Sequence, residues 1–292
     1  MVKRPSVMEI PPTVSPEAGE TVSLPDHDPT RLRASPSDGH GASAGLPLRA
    51  AVWGGSGATG AELLRQCLAD RRIGEVVAFT RRPLRVDGVT EVLVDDFLDM
   101  AKHRDAMRNI DVAYWCLGVS QLHEPKKPGY RRVTRDFTVA SATVLKAMSP
   151  QVTFHFLSGL GASRIGLSPV MWGRVKGEAE QALIDLGLAR LLIYRPTFIH
   201  SVAKRERPTR GDRMAELLYF RAIPLLTVST LNIAHAMLHT TFQADGDTRA
   251  KTLGPWQINR VARAYRSSHE PKQLRAVNEP QRAAKTAVAR KQ

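Results

Sequence analysis

The stretch from Leu48 to Leu68 constrains the fold of this chain more than any other. It opens on a short apolar run, "LRAAVWG" (48–54), and passes through glycines at 54, 55, 57 and 60. It then enters "AELLRQCLAD", which sets Leu63, Leu64, Cys67 and Leu68 on one helical face. The glycines satisfy G-x-x-G-x-x-G from Gly54 and G-x-G-x-x-G from Gly55. Glycine permits a tight turn there, lets backbone approach a ligand closely, and allows the helix to pack hard on the strand. A helix N-terminus behind such a turn presents N–H groups and the positive end of a dipole, which suits phosphate. The segment Gly54, Ser56, Gly57, Ala58, Thr59 and Gly60 is therefore the candidate contact for the pyrophosphate of a dinucleotide.

The rest of the chain repeats this rhythm. "EVVAFT" (75–80), "VTEVLVDD" (89–96), the run from about Asp111 to Gly118, "VTFHFLSG" (152–159) and "ARLLIYRPTF" (189–198) read as further strands. "TRDFTVASATVLKAM" carries a helical face, and Val175, Ala179, Ala182, Leu183 and Leu186 form the stripe of another helix. Continuous apolar strands alternating with helices predict a parallel sheet covered on both sides. The fold class expected is α/β: a doubly wound, Rossmann-like parallel sheet over residues 46–266, with a small C-terminal substrate portion. Residues 1–45, rich in Pro, Ser, Gly and Asp, read as a disordered tail, and 267–292 as a basic flexible tail.

The formal net charge is +14 over 292 residues, and it is unevenly spread. Residues 1–48 hold four Lys/Arg against six acids, whereas 260–292 hold nine against two. A basic surface attracts polyanions, but no helix-turn-helix, zinc-finger or RNA-binding signature is present. No specific nucleic acid is expected as a partner. The two cysteines, Cys67 and Cys116, have no metal-ligand spacing and read as buried, inert thiols in a reducing compartment. No apolar run reaches the roughly 18 residues of a membrane span, and the N-terminus lacks the apolar core of a signal peptide. The expectation is a cytoplasmic protein with no membrane partner and no metal.

The second strand should end beside the adenosine ribose. A carboxylate there would accept from the 2′-hydroxyl, but the sequence has "FTRRP". Arg81 and Arg82 are suited to a 2′-phosphate and to stacking on adenine, so NADP(H) is preferred over NAD(H). Asp96 and Phe97, after the third strand, are candidates to border the adenine.

"GGSGATGAELL", "TRRP", "DVAYWCLG", "GYRRVTRDF", "HFLSGLGA", "VKGEAE" and "YRPTF" occur in that order. Together they resemble an atypical short-chain dehydrogenase/reductase of the HIV Tat-interacting protein 2 type. The resemblance covers residues 48–200 well and reaches weakly through "STLNIAHAML" and "GPWQINRVA". It implies an NADP(H)-binding Rossmann domain in which Gly54, Gly57 and Gly60 line the pyrophosphate and Leu117 and Gly118 pass near the cofactor. It further implies Ser158 as the site serine, Lys176 as the site lysine, and Pro196 beside the nicotinamide.

One position departs from that pattern. The family carries tyrosine four residues before the lysine, where i and i+4 share a helical face and the ammonium lowers the phenol pKa. Here that position is Trp172. An indole donates a hydrogen bond but does not ionise usefully, so Trp172 is not a general acid. Three readings stand. The protein is an oxidoreductase on an unknown carbonyl or alcohol, with Ser158, Tyr130, His123 or water supplying the proton. Or it is a non-catalytic regulator or scaffold that senses NADP(H), with a protein partner. Or Trp172 and Lys176 are packing and surface residues. His155 reads as a hydrogen-bonded core residue, and His200 lies at a candidate pocket rim. Arg205, Arg207 and Arg210 would meet an acidic substrate or partner. Trp53, Trp115 and Trp172 are expected near the cofactor.

Overall fold

A computed structural model describes residues 46–119, 124–200, 227–243 and 249–269. Every described residue lies within one compact unit that begins at Gly45. Residues 1–45 and 270–292, His123, and Arg205, Arg207 and Arg210 fall outside the described residues.

Seven parallel strands form the main sheet. They are β1 (Leu48–Trp53), β2 (Ile73–Thr80), β3 (Val89–Leu93), β4 (Val112–Trp115), β5 (Thr153–Leu157), β6 (Arg190–Tyr194) and β9 (Ala250–Leu253), in the order β3-β2-β1-β4-β5-β6-β9. A two-stranded parallel pair, β7 (Ile199–His200) with β8 (Val228–Ser229), stands apart. The chain runs outward from β1 to β3, then returns to β4 and proceeds the other way. The crevice where such a sheet takes ligands is therefore at the carboxyl ends of β1 and β4.

Two cores follow from the two-residue period of the strands. Ala50, Val52, Val76, Ala78, Val112, Tyr114, Leu192 and Tyr194 face one side, against helices α1 (Ala58–Ala69), α5 (Thr230–Thr241) and α6 (Pro255–His269). Ala51, Trp53, Val77, Phe79, Ala113, Trp115, Phe154 and Phe156 face the other, against α3 (Phe137–Met148) and α4 (Met171–Leu186). The first core carries a buried polar chain: Tyr114 to Thr241 at 2.8 Å, Thr241 to His155 Nε2 at 3.2 Å, and His155 Nδ1 to the Tyr194 hydroxyl at 2.9 Å. Burial and the nearby Arg190 charge hold the His155 imidazole well below its ordinary pKa, so it is neutral.

The structure adds elements that the apolar rhythm did not announce. A 3₁₀ segment (Met100–Met107) follows β3, and a short helix α2 (Lys127–Arg131) joins α3 through a single π turn (Arg132–Asp136). Strand β9 closes the sheet beside β6, and α6 continues through His269, past the boundary expected at 267. Among the described residues, no helix is long and apolar enough to cross a membrane.

Candidate active site

The glycine turn sits at the switch point. The Gly57 N–H donates to the Gly54 carbonyl at 3.0 Å, and Gly54 holds a left-handed φ of 81°. A Cβ at Gly60 would lie 2.1 Å from the Gly54 oxygen, and one at Gly54 would lie 2.6 Å from the Leu117 nitrogen. The turn is thus pressed by backbone alone onto the first turn of α1 and onto the end of β4, and only hydrogen fits at either position. Gly57 is the N-cap of α1 and has no side chain to cap it; no acid stands in the first turn. Ser56, Gly57 and Ala58 are exposed, whereas Thr59 is buried. Leu117 is half-buried and Gly118 is open to solvent, immediately after the strand.

Arg81 and Arg82 are exposed where β2 ends, the chain being turned by the Thr80 hydroxyl donating to the Arg82 carbonyl at 2.8 Å. Asp96 is not free at this rim: it pairs with Arg132 at 2.8 Å and accepts from the Leu98 N–H. Phe97 is 2% exposed and belongs to the second core, 5.6 Å from the Phe137 ring. Trp53 and Trp115 are likewise core residues, fully buried and 5.5 Å apart, with Trp53 stacked on Phe79.

Helix α4 brings the remaining candidates together. Trp172, Lys176 and Glu180 recur every four residues and so share one stripe. The Lys176 ammonium donates to the Leu157 carbonyl, the last residue of β5, at 3.2 Å. Its stem runs along Gly159, and the Trp172 ring covers Gly159 and Gly161; a Cβ at Gly161 would meet that ring at 2.8 Å. Pro196 is buried and its carbonyl accepts from Leu160 at 2.8 Å, pinning the turn after β5 to the turn after β6. Ser158, Trp172, Lys176 and Pro196 are therefore one cluster at the carboxyl edge. Burial draws the Lys176 ammonium down to about 8, with the Glu180 charge working against it.

Ser158 is engaged elsewhere. It is 4% exposed, and its hydroxyl donates to Glu180 Oε1 at 2.5 Å. Glu180 is fully buried and also receives Arg164 Nε at 3.0 Å and both Arg195 Nε, at 2.8 Å, and Arg195 Nη2. Burial would push this carboxyl up; the hydrogen bonds from Arg195 and Ser158 and the Arg195 charge outweigh it and hold the group below its ordinary range. Of the other candidates, Tyr130 is buried in α2, which raises its phenol above the ordinary value, and His200 is half-buried in β7. Both cysteines are free thiols, with burial pushing Cys116 up to about 12 and Cys67 higher still.

HTATIP2 of Rattus norvegicus is 30% identical to this chain over 178 residues, which is 59% of this chain and 70% of that protein. The chain belongs to the HTATIP2 family. Within that atypical short-chain dehydrogenase/reductase group, the Rossmann-like sheet also aligns with solved structures at lower identity. MoeE5 in complex with UDP-glucose and NAD superposes with a TM-score of 0.55 at 15% identity, over 75% of this chain and 81% of that one. UDP-glucose 4-epimerase from Brucella ovis in complex with NAD gives 0.55 at 17%, over 73% and 80%. The UDP-Glc/GlcNAc 4-epimerase from Campylobacter jejuni gives 0.54 at 13%, over 77% and 84%. These likenesses establish the fold. No protein-family model matches the chain.

Against the HTATIP2-family pattern, Glu180, Arg164 and Arg195 are the site residues that sequence reasoning missed. A glutamate one position from the apolar stripe of α4 reads as surface, and an arginine after a strand reads as a loop charge. The available signal was the third member of the four-residue series that began with Trp172 and Lys176.

Proposed function

We propose that this HTATIP2-family chain binds a nicotinamide adenine dinucleotide along the carboxyl edge of its sheet, with NADP(H) preferred over NAD(H). On this reading it is an oxidoreductase that moves a hydride between that nucleotide and a small carbonyl or alcohol. One observation carries it: the backbone cradle at Gly54–Gly60, where a Cβ at Gly54 or at Gly60 would strike backbone, stands at the switch point of a doubly wound sheet. Solved relatives of this fold hold NAD in their own complexes.

The residues present fit the nucleotide. Ser56, Gly57 and Ala58 and the first turn of α1 would meet the pyrophosphate, and Leu117 and Gly118 would flank it. Pro196 and Lys176 would border the nicotinamide end. Arg81 and Arg82 would meet the 2′-phosphate, since two exposed guanidiniums stand where a carboxylate would repel it. When bound, the nucleotide supplies the hydride; the protein's part is to orient it, exclude water and move a proton. The thiols Cys67 and Cys116 suit a cytoplasmic setting.

A second reading, a regulator that binds NADP(H) without turnover and acts through a protein partner, draws on the Trp172 indole lying over Gly159 and Gly161. The test common to both is the double variant Arg81→Glu, Arg82→Glu. We expect NADPH affinity to fall at least about tenfold, a loss of 1.4 kcal/mol or more, with NADH affinity held or improved. An unchanged preference would remove the arginines from the account.

A further inference from the structure

We propose that the side chain of Lys176 is itself the proton donor and acceptor at this site, facing the substrate oxygen directly rather than acting through a phenol. The proposal rests on the oxidoreductase reading above and adds to it the identity of the acid.

Geometry narrows the choice among the described residues. Trp172 occupies the position from which a phenol would act, but its N–H does not exchange a proton at working pH. The Ser158 proton is shared with Glu180 at 2.5 Å, and Glu180 is kept ionised by Arg164 and Arg195, so the hydroxyl is turned into the protein. Tyr130 is buried in α2, where desolvation makes it a weaker acid. Lys176 remains. Its stem is braced between Gly159 and the helix, its nitrogen reaches the end of β5, and among the described residues it has no acceptor besides the Leu157 carbonyl to surrender before meeting a substrate oxygen.

The electrostatics agree with that assignment. Glu180, one turn along the same helix, is the charge that favours the ammonium. Arg195, just past the end of β6, and Arg164, from the turn after β5, are both bonded to Glu180, which tempers their repulsion of Lys176. Phe156 from β5 places its ring 5.9 Å from the nitrogen. Farther along α4, Glu178 is paired with Arg131 of α2. Net burial leaves the group near 8, where an ammonium gives up a proton far more readily than an exposed lysine near 10.4.

The step balances. A carbonyl carbon takes a hydride from a reduced nicotinamide dinucleotide, and the π pair moves to oxygen. That oxygen takes a proton from Lys176 Nζ, and the resulting neutral amine regains one from water. In the reverse direction the neutral amine takes the alcohol proton.

The test has two arms. In protein without nucleotide, competitive acetylation with acetic anhydride, read lysine by lysine by peptide mass spectrometry across pH, should give Lys176 a midpoint near pH 8. An unstructured lysine-containing peptide added to the same reaction should titrate roughly two units higher. With NADPH and 9,10-phenanthrenequinone or 4-nitrobenzaldehyde, turnover should fall above about pH 8, and Lys176→Met should lower it by ~10²-fold or more. NADPH affinity of Lys176→Met, measured separately, divides a lost acid from a lost cofactor contact. A Lys176 midpoint shared with that peptide would overturn the assignment. So would turnover that survives in Lys176→Met, or an absence of turnover in wild-type protein that binds NADPH; each of these leaves the binding reading standing. Absence of NADPH binding brings down that reading, and the assignment with it.

Discussion

At the scale of single residues, the carboxylate of Glu180 ties together the residue that follows β5, Ser158, the residue that follows β6, Arg195, and the turn between β5 and α4 through Arg164, all from a position with no solvent exposure. A buried charge of this kind contributes through its partners, and removing one member leaves the others stranded. Glu180→Gln should therefore cost about 3–5 kcal/mol in chemical denaturation, more than an ordinary surface substitution. Loss of under about 0.5 kcal/mol would mean that the arginines find equivalent partners. Lys176 has the opposite sign. Its folded pKa, about 8, lies below the unfolded value, so charging it opposes folding below about pH 8, and this cost fades as pH rises toward about 10. Lys176→Met is expected to raise the thermal midpoint at neutral pH by a few degrees, and by progressively less in alkaline buffer. The Trp172 and Lys176 pair was legible from the family resemblance together with helical spacing, because i and i+4 share a face wherever a helix forms. The Glu180 cluster was not, since its meaning comes from two arginines that are distant neighbours in sequence and meet it only in the folded chain.

At the scale of elements, the strand–turn–helix unit of β1 and α1 was readable because its constraints are local. The apolar run, the glycines and the amphipathic face lie within one stretch of 21 residues, from Leu48 to Leu68. Gly60→Ala tests the unit: its Cβ would stand 2.1 Å from the Gly54 oxygen, and backbone on both sides leaves nothing flexible to yield. The expected result is a loss of about 1–3 kcal/mol of stability, with nucleotide affinity lost beyond that. Retained affinity in calorimetry would show that the turn opens without consequence. Strand β9 was not readable. It offers only "AKTL", with Ala250 exposed and Leu253 alone buried, because an edge strand is apolar only where the sheet covers it. The 3₁₀ segment at Met100–Met107 was also silent, as it buries only Met100 and Met107 and has no continuous stripe.

At the scale of the whole molecule, two cores on opposite faces of one parallel sheet explain why alternating strands and helices announced the architecture. Of the helices that complete it from the C-terminal part, α5 buries Thr230, His235 and Thr240 among its apolar positions, which blurs its period. His235 of α5 is one of these. Burial and the Arg266 charge hold it at about 4, below its unfolded value of about 6.5, so the folded state keeps it neutral while the unfolded chain takes up a proton. Stability is thus complete above about pH 6.5 and declines as pH falls toward 4, by roughly 2 kcal/mol from this group. The buried His155 shifts in the same direction. Urea midpoints measured across that window should fall in wild type and fall less in His235→Gln; parallel slopes would assign the loss to other groups. Nucleotide binding at the carboxyl edge is read most directly by isothermal calorimetry of the full chain with NADPH and with NADH. We expect NADPH to bind near 1 μM, about −8 kcal/mol, with NADH weaker by at least about tenfold. Heat from neither nucleotide would contradict it, and would leave a Rossmann-like sheet whose glycine turn holds no dinucleotide.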